Sequence, residues 1–210
     1  AVALAQSKKE IEYMMELVKE NLELSQEALI TGAGDGKRIR DNEATIDFIN
    51  SHLTEFLIRL SSCMDGKAEQ VIGAYFHVLN DLERIGDHAE NFHEIGMEMI
   101  GKKIAFSERA HTGIETMRQN VMQMFDIAKD AFENLNKDRL PELTTLEEGV
   151  DGMKKDLIAS HFARLAEGNC SVDVSPYYSS VIVGLERVAD HLVNVGYSIV
   201  SPTGSQKENN

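Results

Sequence analysis

Four pairs of acidic residues are the part of this sequence whose residue types and spacing can do chemistry. Each pair is a glutamate followed four residues later by an aspartate: Glu43 with Asp47, Glu83 with Asp87, Glu147 with Asp151, and Glu186 with Asp190. Residues four apart on a helix are neighbours on one face, so each pair sets two negative charges side by side. Such charges repel unless a cation or a basic side chain compensates them. The spacing therefore indicates either a cation site or ordinary surface salt bridges.

The acidic pairs border the apolar faces of the helices that carry them. In the last predicted helix, Val181, Leu185, Val188 and Leu192 form the apolar face beside one pair. If the second and third helices of one half pack together, their two pairs converge and offer four carboxylates to one place. Oxygen ligands of this kind suit iron(III), manganese, magnesium or calcium better than copper(I). The eight acids are thus candidate metal ligands.

Other polar side chains accompany the pairs in the third and sixth helices, namely Arg84, His88 and Asn91, and Arg187, His191 and Asn194. The arginines are the partners that the surface salt-bridge alternative requires. Each histidine follows an aspartate directly and so lies about 100° round the helix from it. It is therefore expected either to support the ligands from behind or to lie on the surface. The asparagines follow the aspartates by four residues and are accessory candidates that add a carbonyl oxygen or face solvent.

The sequence contains an internal repeat of about half its length. Residues 75–91 recur 103 positions later as 178–194, and the acids of the second helix recur at an offset of 104. We therefore predict an all-α protein of six helices, arranged as two tandem, pseudo-symmetric three-helix bundles. The first unit spans 1–102 and the second 103–200, and the polar segment 201–210 is predicted to be a flexible tail.

Helix boundaries are indicated by glycine, proline and short polar residues. The glycine-rich segment 32–36 ends the first helix, and Asp41 or Asn42 is predicted to cap the second. Ser107 is the predicted cap of the fourth helix, Pro141 suits the first turn of the fifth, and Ser175-Pro176 opens the sixth.

Composition excludes several classes of function. The net charge is −14 over 210 residues, which disfavours binding to nucleic acid or to an anionic membrane surface. No apolar run is long enough to span a membrane, so this chain is not expected to insert into one, and no signal peptide is recognisable. Cys63 and Cys170 have no neighbouring metal-binding or redox motif and are predicted to be free thiols.

Catalysis is not predicted. The sequence has no glycine-rich phosphate loop, and no nucleophile is followed by a base at a spacing typical of a catalytic motif. A ferritin-like di-iron oxidase remains a remote alternative, since such enzymes place carboxylates and ExxH motifs inside a helical bundle. Glu90 with His93 and Glu108 with His111 have that spacing. Neither motif has a counterpart in the other half, which disfavours the oxidase.

Residues 75–91 and 185–194 resemble the third helix of the PhoU family and its second copy. The order of glutamate, arginine, aspartate and asparagine carries the resemblance, and the four acidic pairs correspond to the family motif E(D)xxxD. The resemblance covers about residues 8–200. It implies two three-helix bundles that each bind a cluster of metal ions, iron or zinc with manganese or magnesium as alternatives. It also implies a role in restraining phosphate uptake or phosphate signalling.

The first eleven residues are similar to the connection between the membrane part of a bacterial sodium/phosphate cotransporter and its cytosolic PhoU-like tail. The chain also begins at Ala1 rather than Met. We therefore expect a regulatory, non-enzymatic domain on the cytoplasmic side of the membrane, with a phosphate transporter in the same or another chain as its partner. The alternative is a free-standing PhoU protein that restrains a phosphate ABC transporter and its sensor kinase.

Overall fold

The computed structural model describes residues 1–199, and the predicted tail at 201–210 lies outside them. Six long helices and one short 3-10 turn form this part of the chain, which contains no strand, and the predicted all-α fold of two three-helix bundles is confirmed. The helices are α1 (Val2–Thr31), α2 (Gly36–Ser61), α3 (Gly66–Gly101), α4 (Glu108–Asn134), α5 (Leu140–Ala166) and α6 (Ser175–Tyr197), with the 3-10 turn at Val172–Val174.

Most helix ends lie where the sequence signals place them. Ser107 caps α4 by accepting a hydrogen bond from the backbone N–H of Ala110, and prolines occupy the first turns of α5 and α6. The predicted cap of α2 at Asp41 or Asn42 is wrong. Asp35 caps that helix instead, nearly two turns earlier, by accepting from the N–H of Arg38.

Each half is a three-helix unit in which the first and third helices pack closely. The apolar faces of α1 and α3 form the first core, and those of α4 and α6 form the second. At one crossing the backbone of Gly96 on α3 lies against Ala28 on α1. A Cβ at Gly96 would stand 2.9 Å from the Ala28 carbonyl oxygen, so only glycine fits without a shift of the backbone. The segment 102–107 joins the two halves.

The halves meet mainly along α3 and α6, where their cores are continuous. Asp81 on α3 is only 7% exposed, and its Oδ1 lies 2.8 Å from Nδ1 of His191 and accepts from Asn194 on α6 at 3.4 Å. Nearby, the ring of Phe92 occupies the space beside Gly184. The two units are therefore joined by a buried polar network and by an apolar contact between α3 and α6.

Within residues 1–199, no helix combines the length and the apolarity needed to cross a bilayer.

Candidate metal centres

The first half brings together three carboxylates from two helices. Glu43 on α2 faces Asp87 and Glu90 on α3, and one oxygen of each lies within 4.8 Å of the others. Asp87 and Glu90 are three residues apart, so helical geometry sets them on one face of α3. Glu43 lies at the edge of the apolar stripe of α2, which positions its carboxylate against α3. The result is a compact negative cluster between two helices.

The electrostatics of this cluster are unfavourable without a cation. Glu43 is 9% exposed, and burial, followed by the charges of Asp47, Glu90, Asp87 and Glu83, raises its pKa to about 7. Burial first, and then neighbouring acids, also raises the pKa of Asp87 and of Glu90. Oε2 of Glu43 is buried and has no hydrogen-bond partner among residues 1–199. A buried charge without a partner is costly, and a bound cation would compensate it.

The second half repeats the arrangement with Glu147 and Asp151 on α5 and Asp190 on α6. One oxygen of each again lies within 4.8 Å of the others. The pKa of Asp190 is raised to about 7, first by burial and then by Glu186, Asp151 and Glu147. Glu147 is 5% exposed. Two similar clusters at equivalent places in the repeat indicate one site per half.

Three of the eight predicted ligands lie outside these clusters. Glu83 accepts a hydrogen bond from Asn50 on α2 at 3.0 Å. Its counterpart Glu186 forms an ion pair of 3.3 Å with Lys154 on α5. Asp47 contributes negative charge to the first cluster but does not supply one of its three oxygens. As ligands, these three acids stay predictions.

Glu90 is not among the predicted ligands, although the sequence contains a signal for its place in the cluster. It follows Asp87 by three residues on the same helix face, and it also forms part of the ExxH motif at Glu90 and His93. The residue at the corresponding position of the second half is Val193, so the repeat does not reveal it. The third ligand of the second cluster, Asp151, comes from α5 instead.

Three of the side chains that accompany the pairs, His88, His191 and Asn194, lie at the contact between the halves. His191 and Asn194 both bind Asp81, and the ring of His88 lies 6.2 Å from that of His191. Burial, and then the positive charges around it, lower the pKa of His88 to about 4. Asn91 stays an accessory prediction.

The surface salt-bridge alternative receives no support at the first cluster. Among residues 1–199, Arg84 and Arg187 form no ion pair with Glu43 or Asp87. Arg84 acts on Asp87 only as a weaker charge that opposes the rise in its pKa. Both clusters consist of carboxylates alone, which is a donor set for a cation that prefers oxygen.

A model of one known protein family matches both halves of the chain. The sequence model described as "PhoU domain" matches twice, over residues 11–95 and 114–199. The two matches are 103 residues apart, which is the spacing of the internal repeat.

Individual relatives agree with that match. The chain is 26% identical over 207 residues to the phosphate-specific transport system accessory protein PhoU homolog 1 of Thermotoga maritima, covering 92% of this chain and 84% of the relative. It is 23% identical over 210 residues to the PhoU homolog of Clostridium acetobutylicum, covering 90% of this chain and 94% of the relative.

Solved structures share the fold. The crystal structure of PhoU from Pseudomonas aeruginosa matches with a TM-score of 0.87 at 20% identity, covering 96% of this chain and 97% of that one. PhoU from Streptococcus pneumoniae matches with a TM-score of 0.82 at 17% identity, covering 100% and 99%. At these low sequence identities, the similarity of the structures is evidence for a shared fold and for nothing more specific.

Proposed function

The chain belongs to the PhoU family, and on this premise we propose that it is a non-enzymatic regulator that restrains phosphate uptake. The observation that carries the proposal is the double domain match, which accounts for both halves of the chain. The relatives matched over most of their length are named as accessory proteins of phosphate-specific transport systems. They support an accessory protein that acts on a transporter in a separate chain.

A domain attached to a sodium/phosphate cotransporter is the second candidate. The observation that favours it is the similarity of residues 1–11 to the connecting segment of such cotransporters. The coding sequence upstream of Ala1 distinguishes the two, because a run of membrane spans in the same reading frame is expected only for the cotransporter. In both cases the domain acts on the cytoplasmic side of the membrane, with the transporter as its partner. A phosphate sensor kinase is a further candidate partner of the free-standing form.

Each acidic cluster is proposed to bind a metal ion. The buried, unpartnered Oε2 of Glu43 and the three converging oxygens of each half fit a cation of this kind. Glu43, Asp87 and Glu90 would hold one ion, and Glu147, Asp151 and Asp190 the other. The carboxylate donor set favours iron(III), manganese(II) or magnesium over zinc, which more often has histidine or cysteine ligands. The bound charge would remove the repulsion that raises the pKa values of Glu43 and Asp190.

Deletion of this chain from its host tests the regulatory proposal. Uptake of labelled phosphate and the activity of a phosphate-responsive promoter should stay high in phosphate-rich medium after deletion. Wild-type protein supplied from a plasmid should lower both again. Unchanged uptake and promoter activity in the deletion strain would overturn the proposal.

Complementation with site variants separates regulation from metal binding. Protein carrying Glu43→Gln and Asp190→Asn loses one buried or partly buried carboxylate from each cluster. Glu55→Gln removes one charge from an exposed position on the same helix as Glu43 and serves as the matched control. If metal is needed for regulation, only the control restores repression. Full repression by a cluster variant that holds no metal would leave the regulatory role standing and refute the need for metal.

A further inference from the structure

A cavity of about 180 Å³ lies in the second half, and none of the residues of the acidic clusters lines it. It is formed by the segment that enters α4, the later part of α5 and the connection from α5 to α6. Six of its lining residues are Phe106, Ser107, His161, Cys170, Ser171 and Tyr178. Cys170 is partly exposed and free, so a small reagent in the cavity can reach its sulfur.

A histidine stands beside this thiol in a fixed orientation. Sγ of Cys170 lies 3.8 Å from Nδ1 of His161 and 3.7 Å from the carbonyl oxygen of Ser171. His161 is 1% exposed, its Nε2 lies 2.8 Å from Oγ of Ser175, and its ring is 4.8 Å from that of Tyr178. In the tautomer whose Nε2–H donates to the serine hydroxyl, Nδ1 can accept the proton of the thiol.

The surroundings of the pair are electropositive. The first turn of α4, capped by Ser107, lines the cavity, and the N-terminus of a helix carries partial positive charge. Burial, and then the charge of Arg164, lower the pKa of His161, which keeps the imidazole neutral but makes it a weaker base, so the positive charges of Arg164 and of the helix N-terminus must stabilise the thiolate. A neighbouring histidine, an arginine and a helix N-terminus are the features that activate cysteine thiols.

The internal repeat shows that the fold does not require this pair. At the matching positions the first half has Leu57 in place of His161 and Lys67 in place of Cys170. Leu57 is 0% exposed, so an apolar side chain fills the same place in the other core. A buried histidine carries a cost in desolvation that leucine does not. Its presence beside the thiol therefore needs an explanation other than packing.

We propose that His161 activates Cys170 and that this thiol is a modification site for small oxidants, with hydrogen peroxide as the oxidant. The thiol proton passes to Nδ1 of His161, and the sulfur attacks one oxygen of the peroxide. A sulfur–oxygen bond forms as the oxygen–oxygen bond breaks, and the leaving hydroxide takes the proton and departs as water. The sulfur is oxidised to a sulfenic acid and the peroxide is reduced.

The second cysteine of the chain provides an internal control. Cys63 is exposed in the turn between α2 and α3, where its sulfur lies 3.6 Å from the hydroxyl of Ser62. Two single-thiol proteins, Cys63→Ser and Cys170→Ser, allow each cysteine to be measured alone. Exposure by itself predicts that Cys63 reacts faster.

Alkylation by iodoacetamide at pH 7 tests the activation of Cys170 in the full chain. An ordinary thiol is only a few per cent ionised at this pH, so we expect Cys170 to react about tenfold faster than Cys63. The excess should vanish in concentrated urea, where the histidine no longer adjoins the thiol. His161→Gln should also abolish it, and if that variant folds poorly the comparison in urea decides. A native Cys170 that reacts no faster than Cys63, or an excess that persists in urea, overturns the proposal.

Oxidation is tested with hydrogen peroxide and dimedone, which traps sulfenic acids. Dimedone does not react with the sulfoxides of the nine methionines, and the adduct is located on tryptic peptides so that the two cysteines are distinguished. We expect the adduct on the Cys170 peptide and at least about tenfold less on the Cys63 peptide. Equal labelling of the two peptides, or none on Cys170, overturns the proposed modification.

Discussion

Replacing Glu43 with glutamine should stabilise the metal-free protein at pH 8, although it alters a candidate ligand. The pKa of Glu43 is raised in the fold, so folding favours the protonated carboxyl. The stability that this proton contributes is fully present below the unfolded pKa of about 4.5 and is lost as the pH rises through about 7. Glutamine keeps the shape of the protonated side chain and cannot ionise.

The size of the effect follows from the pKa of the buried carboxyl. Since one pKa unit corresponds to about 1.36 kcal/mol, the rise from 4.5 to about 7 costs the ionised protein roughly 3 kcal/mol. Glu43 is 9% exposed, so solvent screens this cost only weakly. For a chain of this length, 1 kcal/mol moves the melting temperature by about 2–4 °C, so the variant should melt roughly 6–12 °C higher at pH 8.

Urea unfolding at a series of pH values, with metal removed by a chelator, measures the difference directly. The free energy of unfolding of the wild type should fall between pH 5 and pH 8, and that of Glu43→Gln should fall less. At pH 4 the two should agree. Glu55→Gln, which alters an exposed partner of Arg59 on the same helix, should leave the slope of the wild type unchanged.

Metal should reverse the order of stability. Iron or manganese should stabilise the wild type. The same metal should stabilise the variant less, because the variant lacks one ligand charge. A Glu43→Gln protein that is less stable than the wild type at pH 8 without metal would refute the view that this carboxylate is buried and repelled. Equal gains from metal in both proteins would refute its role as a ligand.

Three further predictions concern single positions. Asp87→Asn and Asp190→Asn should each remove about one site's worth of bound metal, measured by elemental analysis of reconstituted protein; retention of all metal in either variant would contradict the assignment. Gly96→Ala should cost about 1–3 kcal/mol in urea unfolding, because its Cβ meets the backbone of α1, whereas Gly73→Ala on the same helix meets nothing and should stabilise by up to about 1 kcal/mol. Asp81→Ala should cost about 1–3 kcal/mol by leaving its partners on α6 unsatisfied, and an unchanged unfolding midpoint would show that the contact contributes nothing.

The fold was predictable because its signals are local and repeated. Apolar residues at helical spacing, prolines in first turns and a serine cap mark the helices, and the repeat implies two similar units. The cap of α2 was placed too late because Asp41 and Asn42 look like caps as well as Asp35 does. The difference lies in the contacts of Asn42, whose side chain donates to Glu20 and Asn21 on α1 and does not cap α2.

The candidate sites were only partly predictable, because a site depends on how two helices are rotated against each other. The sequence places Glu83 and Asp87 together on α3, and it cannot tell which residue of α2 each of them meets. The structure assigns Glu83 to a hydrogen bond with Asn50 and presents Asp87 to Glu43. Asp81 was missed because a single buried acid has no recurring pattern, and its partners lie on the helix of the other half.

The two candidate metal centres are not equivalent copies, even though they arose at matching positions of the repeat. Glu90 adds a carboxylate to the first cluster where the second half has Val193. Lys154 adds an ammonium group beside Glu186 where the first half has Asn50 beside its own glutamate. Both differences make the first centre more negative, by two charge units together. A cation is attracted more strongly where fewer positive and more negative groups surround it, so the first half should fill at lower metal concentration than the second.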